Sequence, residues 1–461
     1  MSDSRMGMNE TGIGLLGLGT VGEGVAAGLA RNGHLIAERT GIRLVLRAIA
    51  DVDLARARGF PVDRAILTSD AEAVIRDPRC AIIVETIGGT LAARRLILLA
   101  LDLGKPVVTA NKALLAEHGA ELFDRARKNN TGLFFEASVG GGIPIIRSLQ
   151  GGLVANEFES ITGILNGTCN YILTQMEDAG TPFKTVLAEA QRAGFAEADP
   201  SLDIDGHDTA HKACILASLA FGRAIQPAQI QTQGIREIDP VDIACAGDLG
   251  YRIKMLAVIR RYREQAEVSV HPALVPSDHV LASVGGVFNA ILVHGDLSGQ
   301  TLYYGRGAGR DPTASSVIGD IADAAGRLLN KGPWNTTGFV SGEGRVRLRD
   351  PDASRNRYYL RLSLRDAPGN LARVALIFGE HAISLATVVQ HETGRGEKVP
   401  VVLLTHETPG RSVTAAMKEI DALSCIGAPT VCFRIEDFNR NKAIAVRKTA
   451  RSSPGPTLKT Q

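Results

Sequence analysis

Residues 194–212, GFAEADPSLDIDGHDTAHK, gather the groups of this chain best suited to acid–base chemistry. Glu197, Asp199, Asp203, Asp205, Asp208 and Lys212 lie there, interrupted by Pro200 and Gly206. The last part reads as a helix. Asp208 and Lys212, four residues apart, then share one face. A carboxylate beside an ammonium can hold a polar substrate and move a proton. The same spacing also describes a solvated ion pair worth about 0.2–0.5 kcal/mol. Which of the two applies depends on the elements that surround the segment.

The first of these is a glycine turn near the start of the chain. The apolar run 12–16 leads into Gly17-Leu18-Gly19-Thr20-Val21-Gly22, and a helical pattern follows. Gly17 permits the tight turn, Gly19 lets backbone approach a pyrophosphate, and Gly22 allows close helix–strand packing. The helix N-terminus would present N–H groups to the phosphates. Asp51 ends the next strand-like run, 44–53. An acid there binds a ribose 2′-hydroxyl and favours NAD over NADP, or it is a plain turn residue. Arg47 and Arg56 nearby would instead suit a 2′-phosphate. The distance from the glycines to Asp51 exceeds the usual ~20 residues. The intervening helix is therefore expected to carry an extra turn, or a loop around 32–40.

Alternation of strand and helix continues through 81–89, 91–104, 105–115 and 132–146. Ligands of such sheets bind beyond the carboxyl ends of the strands. Thr86, Asn111, Lys112, Glu136 and Ser138 all fall at those ends.

At 461 residues the chain holds more than one domain. Its hydrophobic content of 45 % and charged content of 22 % are ordinary for globular proteins. A formal net charge of +2 argues against a general nucleic-acid surface. No apolar run reaches the ~18 residues of a membrane span, and the start lacks a secretory signal. The six cysteines show no C-x-x-C spacing and read as reduced residues of a cytoplasmic protein.

The organisation expected is α/β. A Rossmann-type dinucleotide-binding domain covers 12–146, and a segment at about 303–330 returns the chain to it. An α+β substrate and dimerisation domain covers 147–335, and a linker covers 336–357. Alternation at Tyr358, Leu360, Leu362 and Leu364 opens a βαββαβ unit over 358–436. The basic remainder, 437–461, is expected to be disordered.

Four segments together resemble homoserine dehydrogenases of the bacterial type: GLGTVG, TANKALLA, ILNGTCNYIL with GFAEADPSLDIDGHDTAHK, and GRGAGRDPTASSV. They span about 12–330. The turn D-A-P-G-N-L within 358–436 resembles an ACT, ferredoxin-like domain. The resemblance implies NAD(P)-dependent interconversion of L-homoserine and L-aspartate 4-semialdehyde, in threonine, methionine and isoleucine biosynthesis. It implies Lys212 as proton donor and acceptor, with Lys112 and Asp208 as catalytic partners. Glu197, Asp208, Asp203 and Lys112 would bind substrate. Cofactor contacts would come from Gly17, Gly19, Thr20, Val21, Gly22, Asp51, Thr86, Lys112 and Gly309, with NADP or NAD as cofactor. A monovalent cation, sodium, would be held by the Glu136 carboxylate and the carbonyls of Val139, Gly141 and Ile143. L-Threonine is the implied effector, near Asp366, Gly369 and Asn370, unless the ACT unit serves only association. A homodimer or homotetramer is implied, with neither nucleic acid nor membrane as partner.

Two other readings stay open at this point. One is a semialdehyde dehydrogenase working through a thioester on Cys169. The other is a nucleotide- and amino-acid-binding sensor without catalysis.

Overall fold

The computed structural model describes residues 9–56, 59, 61–334, 346–390 and 398–438. These form two compact units. The first takes in the described residues among 1–240, 255–272 and 284–351; the second takes in those among 241–254, 273–283 and 352–438.

The first unit opens with a parallel six-stranded sheet. Its strands are β1 (Asn9–Leu16), β2 (Ile42–Ala50), β3 (Leu67–Thr68), β4 (Ile82–Glu85), β5 (Val107–Thr109) and β6 (Leu133–Phe134). Their order is β3-β2-β1-β4-β5-β6. This is the doubly wound arrangement, with a crevice at the carboxyl ends of β1 and β4 where the order reverses. Helices α1 (Thr20–Thr40), α2 (Leu91–Asp102) and α3 (Lys112–Lys128) connect strands within it. Helix α1 runs unbroken for 21 residues to a left-handed Gly41 cap. Extra turns, rather than a loop around 32–40, therefore account for the long spacing to Asp51.

A mixed sheet contains β7 (Phe158–Ile164), β8 (Tyr251–Tyr262), β9 (Gln265–Pro276), β10 (Phe288–Gly295) and β11 (Gly299–Arg306), ordered β11-β10-β7-β8-β9; residues 251–254 of β8 and 273–276 of β9 belong to the second unit. Helices α4 (Gly167–Ala179) and α5 (His207–Phe221) belong with it. Helix α6 (Arg310–Asn330) lies on the first sheet, and Ala314, Val317, Ile321 and Ala325 share a buried core with Ile13, Val25 and Val84. Small residues on α1 permit this approach. A Cβ on Gly24 would sit 2.9 Å from the Arg310 carbonyl oxygen, and one on Gly28 would sit 2.6 Å from Ile318 Cδ1.

In the second unit, β12 (Arg355–Arg365), α7 (Asn370–Glu380), β13 (Leu385–Gln390), β14 (Lys398–Thr405), α8 (Gly410–Asp421) and β15 (Val431–Ile435) make the βαββαβ pattern. The strand order is β15-β12-β14-β13. Tyr358, Leu360, Leu362 and Leu364 are buried against Val374, Phe378, Val413 and Ile420.

Two boundaries differ from expectation. Residues 241–254 and 273–283 were placed in the middle domain, yet they are compact with the C-terminal residues. Ala273 and Leu274 pair with Arg434 and Ile435, and fully buried Asp242 accepts from Tyr359 Oη (2.8 Å) and Arg361 Nε (2.6 Å). Within the expected linker, Arg347 and Leu348 pair with Gln265 and Ala266, and β12 already begins at Arg355. The stretch 335–345 and the expected disordered tail from 439 onward lie outside the described residues.

Candidate active site

Two structural features converge on Lys212. Helix α5 starts after Gly206, which adopts a left-handed φ of +89° and has no room for a Cβ beside Met255 and Thr232. Asp208 in its first turn lies where the helix dipole favours a carboxylate. Strand β7 then ends at the Leu165–Asn166 corner, which faces this turn. Lys212 Nζ donates to the Leu165 carbonyl (2.6 Å) and to Asp208 Oδ2 (2.7 Å). Lys112, first residue of α3, approaches Asp208 Oδ1 at 3.1 Å from the opposite side. The Asn111 side chain fixes that helix start by accepting from Leu114 N and donating to the Gly89 carbonyl.

The pair is not a solvated surface bridge. Asp208 is 4 % exposed and Lys212 7 %. Burial alone would raise the Asp208 pKa, but the Lys212 and Lys112 ammonium groups outweigh it and hold the carboxyl well below the usual range. The charge of Asp208, in turn, raises the Lys112 pKa. Asp203 responds in the opposite direction: burial, then repulsion from Asp208, raises its pKa. Two carboxyls a few residues apart are thus pushed apart in acidity by their surroundings. Lys212 makes two hydrogen bonds among the described residues, leaving one of its three N–H groups for another acceptor.

Glu197 is exposed, and Gln191 steadies its loop by donating to the carbonyls of Glu197 and Ala198. It still lies close enough to add to the field raising the Lys112 pKa. Asn166 was missing from the sequence-based set. Its Oδ1 accepts from Cys169 N (2.8 Å), while Nδ2 donates to Asp203 Oδ1 (2.7 Å) and Asp208 Oδ2 (2.8 Å). An Asn between an apolar strand and a helix is an N-cap signal, so its capping role was readable; its bond to the carboxylates was not.

Cys169 does not fit a thioester mechanism. The thiol is fully buried, bonds to the Asp203 carbonyl (3.2 Å), and has its pKa pushed well up by burial. A reactive cysteine needs the reverse.

The dinucleotide residues gather at the glycine turn. Gly17 has a φ of +90°, and a Cβ on Gly22 would sit 2.1 Å from the Gly17 carbonyl oxygen. Among the described residues, a Cβ on Gly19 would meet nothing within 4 Å and the helix start has no side-chain cap, so space is open over it. Bare N–H groups beside open space fit a pyrophosphate. Thr20 and Val21 form the first turn of α1. Thr86 reaches the Gly17 carbonyl through its hydroxyl (2.8 Å). Gly309 precedes α6 with a φ of +121°. Asp51 accepts from Leu18 N (2.6 Å) and Asp53 N (2.8 Å), so it braces the turn as well as facing its edge. Arg47 instead pairs with Glu10, at the opposite end of β1.

The expected cation ligand Glu136 braces the turn that follows it. Its two carboxylate oxygens accept from Ile146 N and Arg147 N, each at 2.8 Å. The Gly141 carbonyl accepts from Ser316 Oγ (2.6 Å). Each of these oxygens keeps a further lone pair, so Glu136 can brace the following turn and still offer a carboxylate to a cation beside the carbonyls of Val139, Gly141 and Ile143. Ser138, also singled out by position, closes a local turn on the Phe135 carbonyl (2.6 Å). In the second unit, Gly369 has a φ of +87° before α7, Asn370 Nδ2 donates to the Arg365 carbonyl (2.9 Å), and Asp366 accepts from Gln390 (3.4 Å).

Comparison with known proteins extends these geometric findings. Residues 17–136 match the homoserine dehydrogenase NAD-binding domain, 144–322 match homoserine dehydrogenase, and 358–424 match the ACT domain. The homoserine dehydrogenase of Pseudomonas aeruginosa is 42 % identical over 94 % of this chain and 100 % of its own. The crystal structure of a homoserine dehydrogenase from Thiobacillus denitrificans is 41 % identical, with a TM-score of 0.86 over 94 % of this chain and 99 % of that one. A hyperthermophilic archaeal homoserine dehydrogenase in complex with NADPH is 27 % identical, with a TM-score of 0.57 over 68 % of this chain and 98 % of that one. The buried acid–lysine site, the glycine turn and the βαββαβ unit thus occur together in a chain that belongs to the homoserine dehydrogenase family, an oxidoreductase with NAD-binding, catalytic and ACT domains.

Proposed function

We propose that this chain interconverts L-homoserine and L-aspartate 4-semialdehyde, with Lys212 moving the proton of the C4 oxygen. The observation that carries the reading is the buried Lys212 ammonium, locked by Leu165 and Asp208 with one N–H to spare. A nicotinamide cofactor bound at the glycine turn supplies hydride exchange at C4. In the reductive direction the carbonyl oxygen gains negative charge, and the Lys212 ammonium stabilises it and donates the proton. In the oxidative direction Lys212 must first be neutral to accept that proton. Lys112, Asp208, Asp203 and Glu197 offer the mixed charges that a zwitterionic amino acid needs, since an unpaired buried charge is costly.

The archaeal relative's NADPH favours the same cofactor class here. Asp51, at the end of β2, leaves both NAD and NADP as candidates. The partition into cofactor, substrate and ACT domains, with 303–330 returning to the cofactor domain, belongs to this proposal. So does a role in threonine, methionine and isoleucine biosynthesis, in a cytoplasmic homodimer or homotetramer. No helix among the described residues is long and apolar enough to cross a membrane. A sodium ion at 136–143 would be held by the Glu136 carboxylate and the carbonyls of Val139, Gly141 and Ile143. A sodium-dependent rise in melting temperature, absent with choline, is its test.

For the second unit, the turn at Asp366, Gly369 and Asn370 is the proposed site of L-threonine. Coupling must be reciprocal: threonine and substrate would each weaken the other's binding. The experiment is homoserine-dependent reduction of NAD⁺ and NADP⁺, each with and without threonine. Turnover supports the reaction and ranks the cofactors. Saturating threonine that changes neither rate nor melting temperature removes the effector role.

A further inference from the structure

We propose that Asn166 is a positioning residue for the reaction, tying Asp203 and Asp208 together and setting the orientation in which Asp208 meets Lys212. The inference rests on the reading of Asp208 and Lys212 as the working pair. Three observations support it.

The first is orientation. The Asn166 Oδ1 is committed to Cys169 N at the start of α4, so its Nδ2 must face the other way, toward the carboxylates. Both of its hydrogens are used there, one on Asp203 Oδ1 and one on Asp208 Oδ2. The second is saturation. Asp208 Oδ2 accepts from both Asn166 and Lys212, while Oδ1 faces Lys112. Its carboxylate plane is therefore held by donors on three separate elements. The third is placement. Asn166 is 4 % exposed and follows Leu165, whose carbonyl takes another Lys212 hydrogen. One corner of backbone thus fixes both members of the pair.

The Asn166 amide donates to both carboxyls; without it Asp203 and Asp208 would face each other with no donor between them, and Asp208 would lose one of the three donors that set its orientation toward Lys212. Misplacement on the scale of an ångström can cost about 10²-fold in rate.

The two jobs of Asn166 can be separated. Asp and Ser cap helices about as well as Asn, so Asn166→Asp and Asn166→Ser both retain the cap. Neither keeps the amide donor. Asn166→Asp also places a third carboxyl against Asp203 and Asp208. The full chain is assayed for kcat and KM with homoserine, for NADP⁺ binding, and for melting temperature, with Lys212→Ala in parallel. The expected result is a kcat loss of about 10²-fold or more for Asn166→Asp and about 10-fold for Asn166→Ser, with NADP⁺ binding unchanged. The closer isostere is then the worse enzyme, which a capping role alone does not produce. Equal, near-wild-type kcat in both variants overturns the proposal. Should Asn166→Asp fail to fold, Asn166→Ser decides: wild-type kcat overturns it and a 10-fold loss at unchanged NADP⁺ affinity supports it. If Lys212→Ala also keeps turnover, the reading of the site itself has failed. If only Lys212→Ala loses turnover, the fault lies with Asn166 alone.

Discussion

Asp208 stands at the centre of the site because three cations or amide donors meet on one carboxylate. Its ionised form is favoured by Lys212 and Lys112 against the cost of burial. Among the described residues, removing it would leave the buried Lys212 with one hydrogen bond, to the Leu165 carbonyl. We therefore predict that Asp208→Ala raises KM for homoserine and lowers kcat, while NADP⁺ affinity is retained. Unchanged steady-state constants would return the pair to a structural role. The i,i+4 spacing of this pair was legible in the sequence, because helix geometry alone brings such residues together. Lys112 lies a hundred residues upstream, and only its family motif linked it to Asp208. Asn166 went unnoticed because its bonds to the carboxylates are tertiary, and nothing local in N-G-T encodes them.

At the scale of elements, helix starts and close approaches do the positioning. The glycine turn was readable because each glycine answers a local steric demand. A Cβ at position 22 would fall inside the Gly17 carbonyl oxygen. Gly22→Ala is therefore predicted to abolish cofactor binding and lower the melting temperature; wild-type affinity in that variant would contradict the account of the turn. In the loop at 136–143 the Glu136 carboxylate also caps the helical turn that follows, and its backbone N–H donates to Asp320 Oδ2 (2.8 Å). Asp320 lies far along the chain on α6, so this contact had no local signal. Burial raises the Asp320 pKa to about 8, and the half-exposed Arg147 nearby, shared with Asp323, does not offset it. An acid whose folded pKa is raised contributes most below its unfolded pKa, and that contribution is lost as pH rises through about 8. Asp320→Asn retains an acceptor for Glu136 N–H and removes the titration. It should melt higher than the parent at alkaline pH, with the difference shrinking towards pH 4. Parallel pH profiles for the two proteins would rule this out.

On the scale of the whole molecule, the chain forms two compact units. The periodicities of 2 and 3.6 residues made the strands and helices of both legible, including the βαββαβ order. What local pattern does not carry is which distant segments share a core. Residues 241–254 look like part of the middle domain by position, yet Asp242 is buried beneath Tyr359 and Arg361 of β12. Breaking a buried ion pair by removing one partner typically costs about 3–5 kcal/mol. Asp242→Ala is accordingly predicted to lower the melting temperature of the second unit well below that of the parent. An unchanged melting profile would mean that the pair contributes little.

Lys212, as the group that moves the proton, is the centre of the proposed reaction. The most direct test is oxidation of NADPH by the full chain with L-aspartate 4-semialdehyde, comparing the parent protein with Lys212→Ala and measuring NADPH binding to each. The predicted result is turnover in the parent and a loss of about 10²–10⁴-fold in the variant, at equal NADPH affinity. Parent-like turnover in Lys212→Ala, or no turnover in folded parent protein that binds NADPH, would contradict it.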